Sequence, residues 1–264
     1  MDTWIFLRGL SREAAHWGPF ADEFRQALSG STVLTLDLPG NGVWHAAPSP
    51  FSVEAMVAHA RTELARRGER PPYRLLALSL GAMVATEWAR HAPHEVAACV
   101  LINTSFRPFG PFYRRLRPRN WWPLLRLALL RGTPADAEQT VWRLTSNQPA
   151  LRDDVVVAWV DVRLQRPVSR SNALRQLVAA ARYRAPAAPL PVALLLLASQ
   201  HDGLVHVACS QSIARHWGCR LALHPWAGHD LPLDDPQWVI DQVRRWLAGL
   251  PSEARPCIVS IHML

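Results

Sequence analysis

Lysine is missing from this chain. All 29 basic residues among its 264 are arginine, and with 21 acidic residues the formal charge is +8. An arginine-only composition follows from the base composition of coding DNA as readily as from selection of a surface. The charge therefore does not indicate a nucleic-acid partner, and no helix-turn-helix, zinc or RNA-binding motif accompanies it. Cysteine is scarce: Cys99, Cys209, Cys219 and Cys257 lack Cys-x-x-Cys spacing, which argues against a zinc site or a disulfide framework and leaves them as free thiols. No apolar run approaches 18 residues, so no membrane span is expected. The opening MDTWIFLRGL lacks a basic start, a long apolar region and a small-residue cleavage site, so no signal peptide is expected either. The expectation is a soluble cytoplasmic protein.

What the chain does have is apolar content, 49%, ample for one domain with an insertion. Its organising stretch is Tyr73 to Trp88. Leu75 to Leu78 reads as a buried strand and the alanine-rich residues after Gly81 as a helix packed on a sheet. Ser79 stands on the turn between them. A turn that tight requires small residues two before and two after the serine, and Ala77 and Gly81 meet that need. The helix start would aim free N–H groups at anything bound to the hydroxyl, with Leu80 N–H as one donor. An ordinary Ser-x-Gly turn would satisfy this stretch equally, so the rest of the chain decides.

Trp4–Leu7 predicts a strand running into Arg8-Gly9-Leu10. The glycine lets the backbone turn across the sheet end, leaving the N–H of Leu10 as a second donor toward Ser79. A helix is expected from about Trp17 to Leu28, a strand over 32–36, and a loop at Asp37-Leu-Pro-Gly-Asn-Gly42. A helix over 52–67 follows, capped by Ser52, and then a strand over 96–102. Strands alternating with helices predict α/β architecture, a mostly parallel sheet with helices on both faces.

From Arg107 to Arg184 the alternation stops, and four helices are expected near 121–130, 135–144, 153–164 and 171–182. The reading is two core segments, 1–106 and 185–250, a helical lid over 107–184, and a tail over 251–264. An insertion after a strand's C-terminal end lies over the sheet edge where Ser79 emerges. It holds fifteen arginines against five acids, a net +10, which leaves the remainder slightly acidic. Such a lid suits an acidic carrier protein or an anionic substrate tail; a solvated helix face is the plainer explanation.

Strand character returns at 192–198, followed by Asp202, and again at 220–225, followed by His229. In a parallel sheet Ser79, Asp202 and His229 all arrive at the C-terminal edge, in the chain order of an α/β-hydrolase triad. Any one alone is weak evidence, since the chain has 11 histidines and Asp-Gly is common in plain turns. Their joint placement after core strands carries the argument.

Phe6-Leu-Arg-Gly-Leu10, Asp37-Leu-Pro-Gly-Asn-Gly42, Ala77-Leu-Ser-Leu-Gly81, His201-Asp-Gly-Leu-Val205 and Ala227-Gly-His229 together resemble the α/β-hydrolase superfamily over almost the full length. Among lidded serine esterases the chain looks most like the pimeloyl-ACP methyl ester carboxylesterases. That resemblance implies a serine carboxylesterase needing no metal or organic cofactor, acting on a small or medium-chain acyl ester, with an acyl carrier protein as a partner at the basic lid. It implies Ser79 as nucleophile, His229 as base, Asp202 as its orienting acid, and Leu10 and Leu80 N–H as oxyanion donors. Three departures stand out: Arg8 replaces the usual histidine before Gly9, Ala77 replaces the elbow glycine, and Val43-Trp44 displaces a serine after the Gly-x-Gly loop. Arg8 reads either as a contact for a substrate carboxylate or as the partner of a nearby acid. Trp17, Trp44, Trp121 and Trp122 are candidates for an apolar acyl pocket, against ordinary packing. The competing functions are a thioesterase, lactonase or carbon–carbon bond hydrolase on the same triad, and a non-catalytic binding protein on the same fold. An aspartate in place of Ser79 would be needed for a haloalkane dehalogenase or an epoxide hydrolase.

Overall fold

The structure is a computed structural model and describes residues 2–129 and 132–250; the tail over 251–264 lies outside the described residues. Six strands, β1 (Asp2–Leu7), β2 (Ser31–Leu36), β3 (Tyr73–Leu78), β4 (Val96–Ile102), β5 (Ala193–Ser199) and β6 (Arg220–His224), form one sheet in the order β2-β1-β3-β4-β5-β6. Every neighbouring pair is parallel. All strand C-termini therefore share one edge. This is the parallel α/β sheet that the alternation predicts, and the α/β-hydrolase fold that the resemblance implies.

Period-2 side-chain alternation divides the core between the two faces. Ile5, Leu7, Leu75, Ala77, Cys99 and Leu101 point to one side, where α2 (Val53–Arg66), α3 (Leu80–His91) and α9 (Ala208–Trp217) cover them. Trp4, Phe6, Leu76, Leu78, Val100 and Ile102 point to the other, against α1 (Phe20–Ala27) and α11 (Pro236–Ala248). Because both faces are covered, the central strands read as continuous apolar runs. The expected helix from Trp17 begins later, since Gly18 takes φ +53 and Pro19 follows. A 3-10 turn, Ala14–Trp17, occupies the gap. Ser52 caps α2 as expected, its hydroxyl accepting from Ala55 N–H at 3.3 Å.

Between β4 and β5 the chain is helical: α4 (Phe112–Arg115), α5 (Trp121–Leu129), α6 (Pro134–Thr145), α7 (Arg152–Gln165) and α8 (Arg170–Arg182). An isolated bridge joins Arg107 to Arg184 where this segment leaves and rejoins the sheet. Its polar contacts go to loops at the C-terminal edge. Gln176 reaches Ser11, Asn41 and Ser49, Asn120 reaches Gly203, and Asn147 reaches His201 and Trp226. The insertion thus roofs the edge where strands end. A short α10 (Leu231–Asp234) precedes α11.

The tightest approach of a glycine to neighbouring backbone lies under this roof, at Gly81 in the first turn of α3. A Cβ there would lie 2.3 Å from the Leu7 carbonyl oxygen and 2.7 Å from that of Arg8, so α3 can start where it does only with glycine. Gly81→Ala should lower stability by about 1–3 kcal/mol in urea unfolding, an overpacking cost. Gly249→Ala, whose Cβ would have ordinary clearance of 3.6 Å, should change it by less than about 0.5 kcal/mol.

Candidate active site

The turn after β3 holds Ser79 at φ +57, ψ −113, a conformation that costs a non-glycine residue roughly 1–3 kcal/mol. The surrounding backbone holds it there. Ser79 N–H donates to the Ile102 carbonyl at 3.0 Å, and the Ser79 carbonyl accepts from Ala82 N–H at 3.0 Å as α3 begins. Gly9 closes the other side: a Cβ on it would stand 3.3 Å from Ser79 Cβ and 3.8 Å from the hydroxyl oxygen. The serine is half-buried, and its hydroxyl has no hydrogen-bond partner among the described residues. Nor, among those residues, does the Leu10 or the Leu80 N–H donate to an acceptor.

Asp202 and His229 arrive at the same edge from β5 and β6. Asp202 Oδ1 accepts from Leu204 N–H at 2.7 Å and Val205 N–H at 2.9 Å, and His229 Nδ1 donates to Oδ2 at 2.8 Å. Both side chains are buried. Burial alone would push the His229 pKa down, but the charge and hydrogen bond of Asp202, with Asp230 behind them, outweigh it and raise the pKa. The bond through Nδ1 leaves Nε2 as the nitrogen free to act.

Asn103, one residue past β4, ties the edge together. Its Nδ2 donates to the His229 carbonyl at 2.8 Å and the Gly228 carbonyl at 3.2 Å, while its Oδ1 accepts from Ser199 N–H at 2.8 Å. The neighbouring Ile102 carbonyl holds Ser79, so the serine and histidine turns hang from consecutive residues. Asp234 fixes the histidine loop to the roof, accepting from Gly228 N–H at 2.6 Å, Asn147 N–H at 2.9 Å and the Ser146 hydroxyl. The Asp230 N–H donates to the Thr145 carbonyl at 2.7 Å. Neither Asn103 nor Asp234 stands out in the sequence. The available signal for Asn103 is its place directly after a core strand and its φ of +45, a region asparagine tolerates.

Of the two readings of Arg8, the structure shows the pairing with a nearby acid. Its guanidinium is buried, forms a two-pronged pair with Asp230 (Nη1 to Oδ1, 3.0 Å) and lies 4.7 Å from the Trp17 ring centroid. It pairs with a protein acid and braces the histidine loop, and its charge is not free for a substrate carboxylate. The four tryptophans are not gathered into a pocket. Trp17 packs in the sheet core with Phe6 and Phe20, Trp44 stacks edge-on to His59 of α2, and Trp121 and Trp122 are exposed on the roof. Among the described residues no cluster of three or more His, Cys, Asp or Glu is placed to hold a metal ion.

With this geometry established, the comparisons with known proteins define the class. The alpha/beta hydrolase family model matches residues 4–242, and the chain belongs to that family. Similar solved structures include three with these likenesses. A Mycobacterium tuberculosis protein assigned as a non-heme bromoperoxidase has 21% identity and TM-score 0.76, covering 96% of this chain and 94% of that one. A thermophilic esterase from Thermogutta terrifontis has 21% identity and TM-score 0.74, covering 94% and 90%. An enol-lactonase from Burkholderia xenovorans has 18% identity and TM-score 0.75, covering 94% and 91%. At such identities the likeness is one of fold. No curated protein matches the chain in sequence.

The His229 environment is directly measurable. Followed by NMR, its imidazole should titrate above the ordinary value of about 6.5. In Asp202→Asn it should titrate below that value, because burial remains while the attracting charge is gone. An unchanged midpoint in the variant would show that Asp202 does not set the histidine's proton affinity.

Proposed function

We propose that this protein is a serine hydrolase that cleaves carboxylic esters through Ser79, His229 and Asp202. The observation carrying this reading is the His229–Asp202 hydrogen bond at the sheet edge that also presents a half-buried serine in a strained turn. His229 Nε2 accepts the hydroxyl proton as Ser79 Oγ bonds to the ester carbonyl carbon. Asp202 holds the imidazole in the required tautomer and stabilises the imidazolium. The N–H groups of Leu10 and Leu80 receive the oxyanion, an effect worth about 3–4 kcal/mol per donor. Collapse expels the alcohol, protonated by His229, and leaves an acyl-serine. Water, deprotonated by His229, then releases the acid and restores the hydroxyl. Among the described residues no hydrogen bond joins the hydroxyl to the imidazole; in this reading it forms when substrate fills the site.

In this reading the helical roof is a lid, and the acyl chain lies between it and the sheet edge. The narrower likeness to pimeloyl-ACP methyl ester carboxylesterases, with an acidic carrier partner, rests on the elbow and the Asp-Gly-Leu-Val loop. Its electrostatic support is reduced by internal pairing. Arg163 and Arg166 pair with Glu138 and Glu13, and Arg115 and Arg119 donate to backbone carbonyls. A lactone is the second substrate class, since a ring ester needs the same attack and the same oxyanion donors.

Turnover of short-chain p-nitrophenyl esters should fall about a thousandfold or more in Ser79→Ala. Because His229 must be neutral to act and its pKa is raised, kcat/KM should rise with pH through an inflection above about 6.5. Retained turnover in Ser79→Ala, or a flat profile from pH 5 to 8, would contradict the assignment.

A further inference from the structure

A small cavity, about 20 Å³, lies between the loop after β1 and helices α6 and α7 of the roof. That volume admits a group the size of a water or a carboxylate head. Its wall is unusual in charge. Arg12 Nη1 donates to Glu138 Oε2 at 2.7 Å, Arg163 Nε donates to the other oxygen of Glu138, and Arg166 pairs with Glu13 at 2.6 Å. Three guanidinium groups thus face two carboxylates. His16 adds no charge: burial, then the neighbouring Arg12, hold its pKa well below the usual range. Burial, outweighing Arg166, raises the Glu13 pKa. Asp37 does not line the cavity; its carboxylate accepts from the N–H groups of Ala14 and Val43.

The hydrogen bonding shows the same imbalance. The Ser11 hydroxyl, Arg12 Nη2 and Arg166 Nε all belong to residues lining this cavity, and all are buried without a partner among the described residues. The Arg12 side chain is nine-tenths buried. Each of the three can donate, and an unsatisfied buried donor costs about 1–3 kcal/mol, more when charged. One acceptor-rich group with a single negative charge would satisfy all three donors and the surplus together. The loop that lines the cavity is also the one that packs on Ser79. Ser11 is two residues from Gly9, which packs on Ser79, and its N–H is fixed by Gln176 of the roof at 2.8 Å.

We propose that this cavity is an anion subsite that receives a carboxylate carried by the substrate, so that the favoured esters are those bearing a second, free carboxylate. The inference rests on the ester-hydrolase reading and names its substrate class. Arg8 does not line this cavity, and its two terminal nitrogens are held by Asp230, whereas Arg12 and Arg166 line it with a donor open. A carboxylate head fits the space.

The test compares monomethyl succinate, glutarate and adipate with chain-matched neutral methyl esters, scored as the ratio of kcat/KM values. At least one half-ester should be preferred at least tenfold, through KM, and Arg12→Gln should bring the ratio close to one. Should Arg12→Gln fail to fold, Arg166→Gln and Ser11→Ala should each cut the ratio about threefold or more. Hydrolysis of neutral esters with no half-ester preference would overturn the subsite while leaving the hydrolase reading intact. Hydrolysis of neither class would overturn the underlying reading. Sodium acetate separates the two sources of anion: it should inhibit half-ester hydrolysis competitively. Thermal stabilisation by acetate without any half-ester preference would assign the cavity to a free anion and contradict the proposal.

Discussion

A serine can occupy the left-handed turn between a parallel strand and its helix only if the neighbouring backbones come close and carry no side chains there. Gly81 lets the Leu7 and Arg8 carbonyls pass against the first turn of α3, and Gly9 lets the end of β1 rest on Ser79 itself. Ala77, where the family pattern has glycine, is accommodated because it is buried in the sheet with a normal strand conformation. The remainder of the edge depends on this contact. It sets where α3 begins, where its free N–H groups point, and where the loop carrying Leu10, Ser11 and Arg12 must run.

Around that fixed point the polar groups form a connected scaffold. Asn103 joins the ends of β4 and β5 to the histidine loop, Arg8 braces Asp230 from β1, and Asp234 binds the same loop to Ser146 and Asn147 of the roof. Asn147 in turn donates to the carbonyls of His201 and Trp226, one on the acid loop and one on the histidine loop. The roof is therefore bonded to the two loops that carry Asp202 and His229. Buried networks of this kind hold their members in one arrangement when every partner is satisfied. Arg8 Nε within this scaffold, and Ser11, Arg12 and Arg166 at the cavity, are left without a partner among the described residues.

Much of this was legible in the sequence because strand ends are marked by abrupt changes from apolar runs to Gly, Asp, Asn or His. That signal located Ser79, Asp202 and His229 and all six strands within a residue or two. It also marked the four longer helices of the insertion, missing, among the described residues, the single α turn at 112–115 and the 3-10 turns at 118–120 and 149–151. Long-range pairing is different in kind. Nothing local ties Arg8 to an acid 222 residues away, so the arginine read equally as a substrate contact. The tryptophans misled for a related reason: bulk and hydrophobicity mark a buried or binding side chain without saying which sheet face it occupies. Trp17 belongs to the core and Trp122 to the surface. The late start of α1 did carry a local signal, the Gly18-Pro19 pair, which outweighs the helical spacing around it. Arginine segregation into 107–184 was plain, yet counting charge along the chain could not reveal how many would be neutralised by partners inside the fold.

The account stands on a nucleophilic Ser79 activated by the histidine behind it. Treatment of the folded protein with a fluorophosphonate, followed by peptide mass mapping, measures that directly. The prediction is one adduct per chain, on the peptide containing Ser79, formed far more slowly in His229→Ala and not at all after unfolding. An unmodified Ser79 in the folded protein, or equal labelling rates with and without the imidazole, would contradict it.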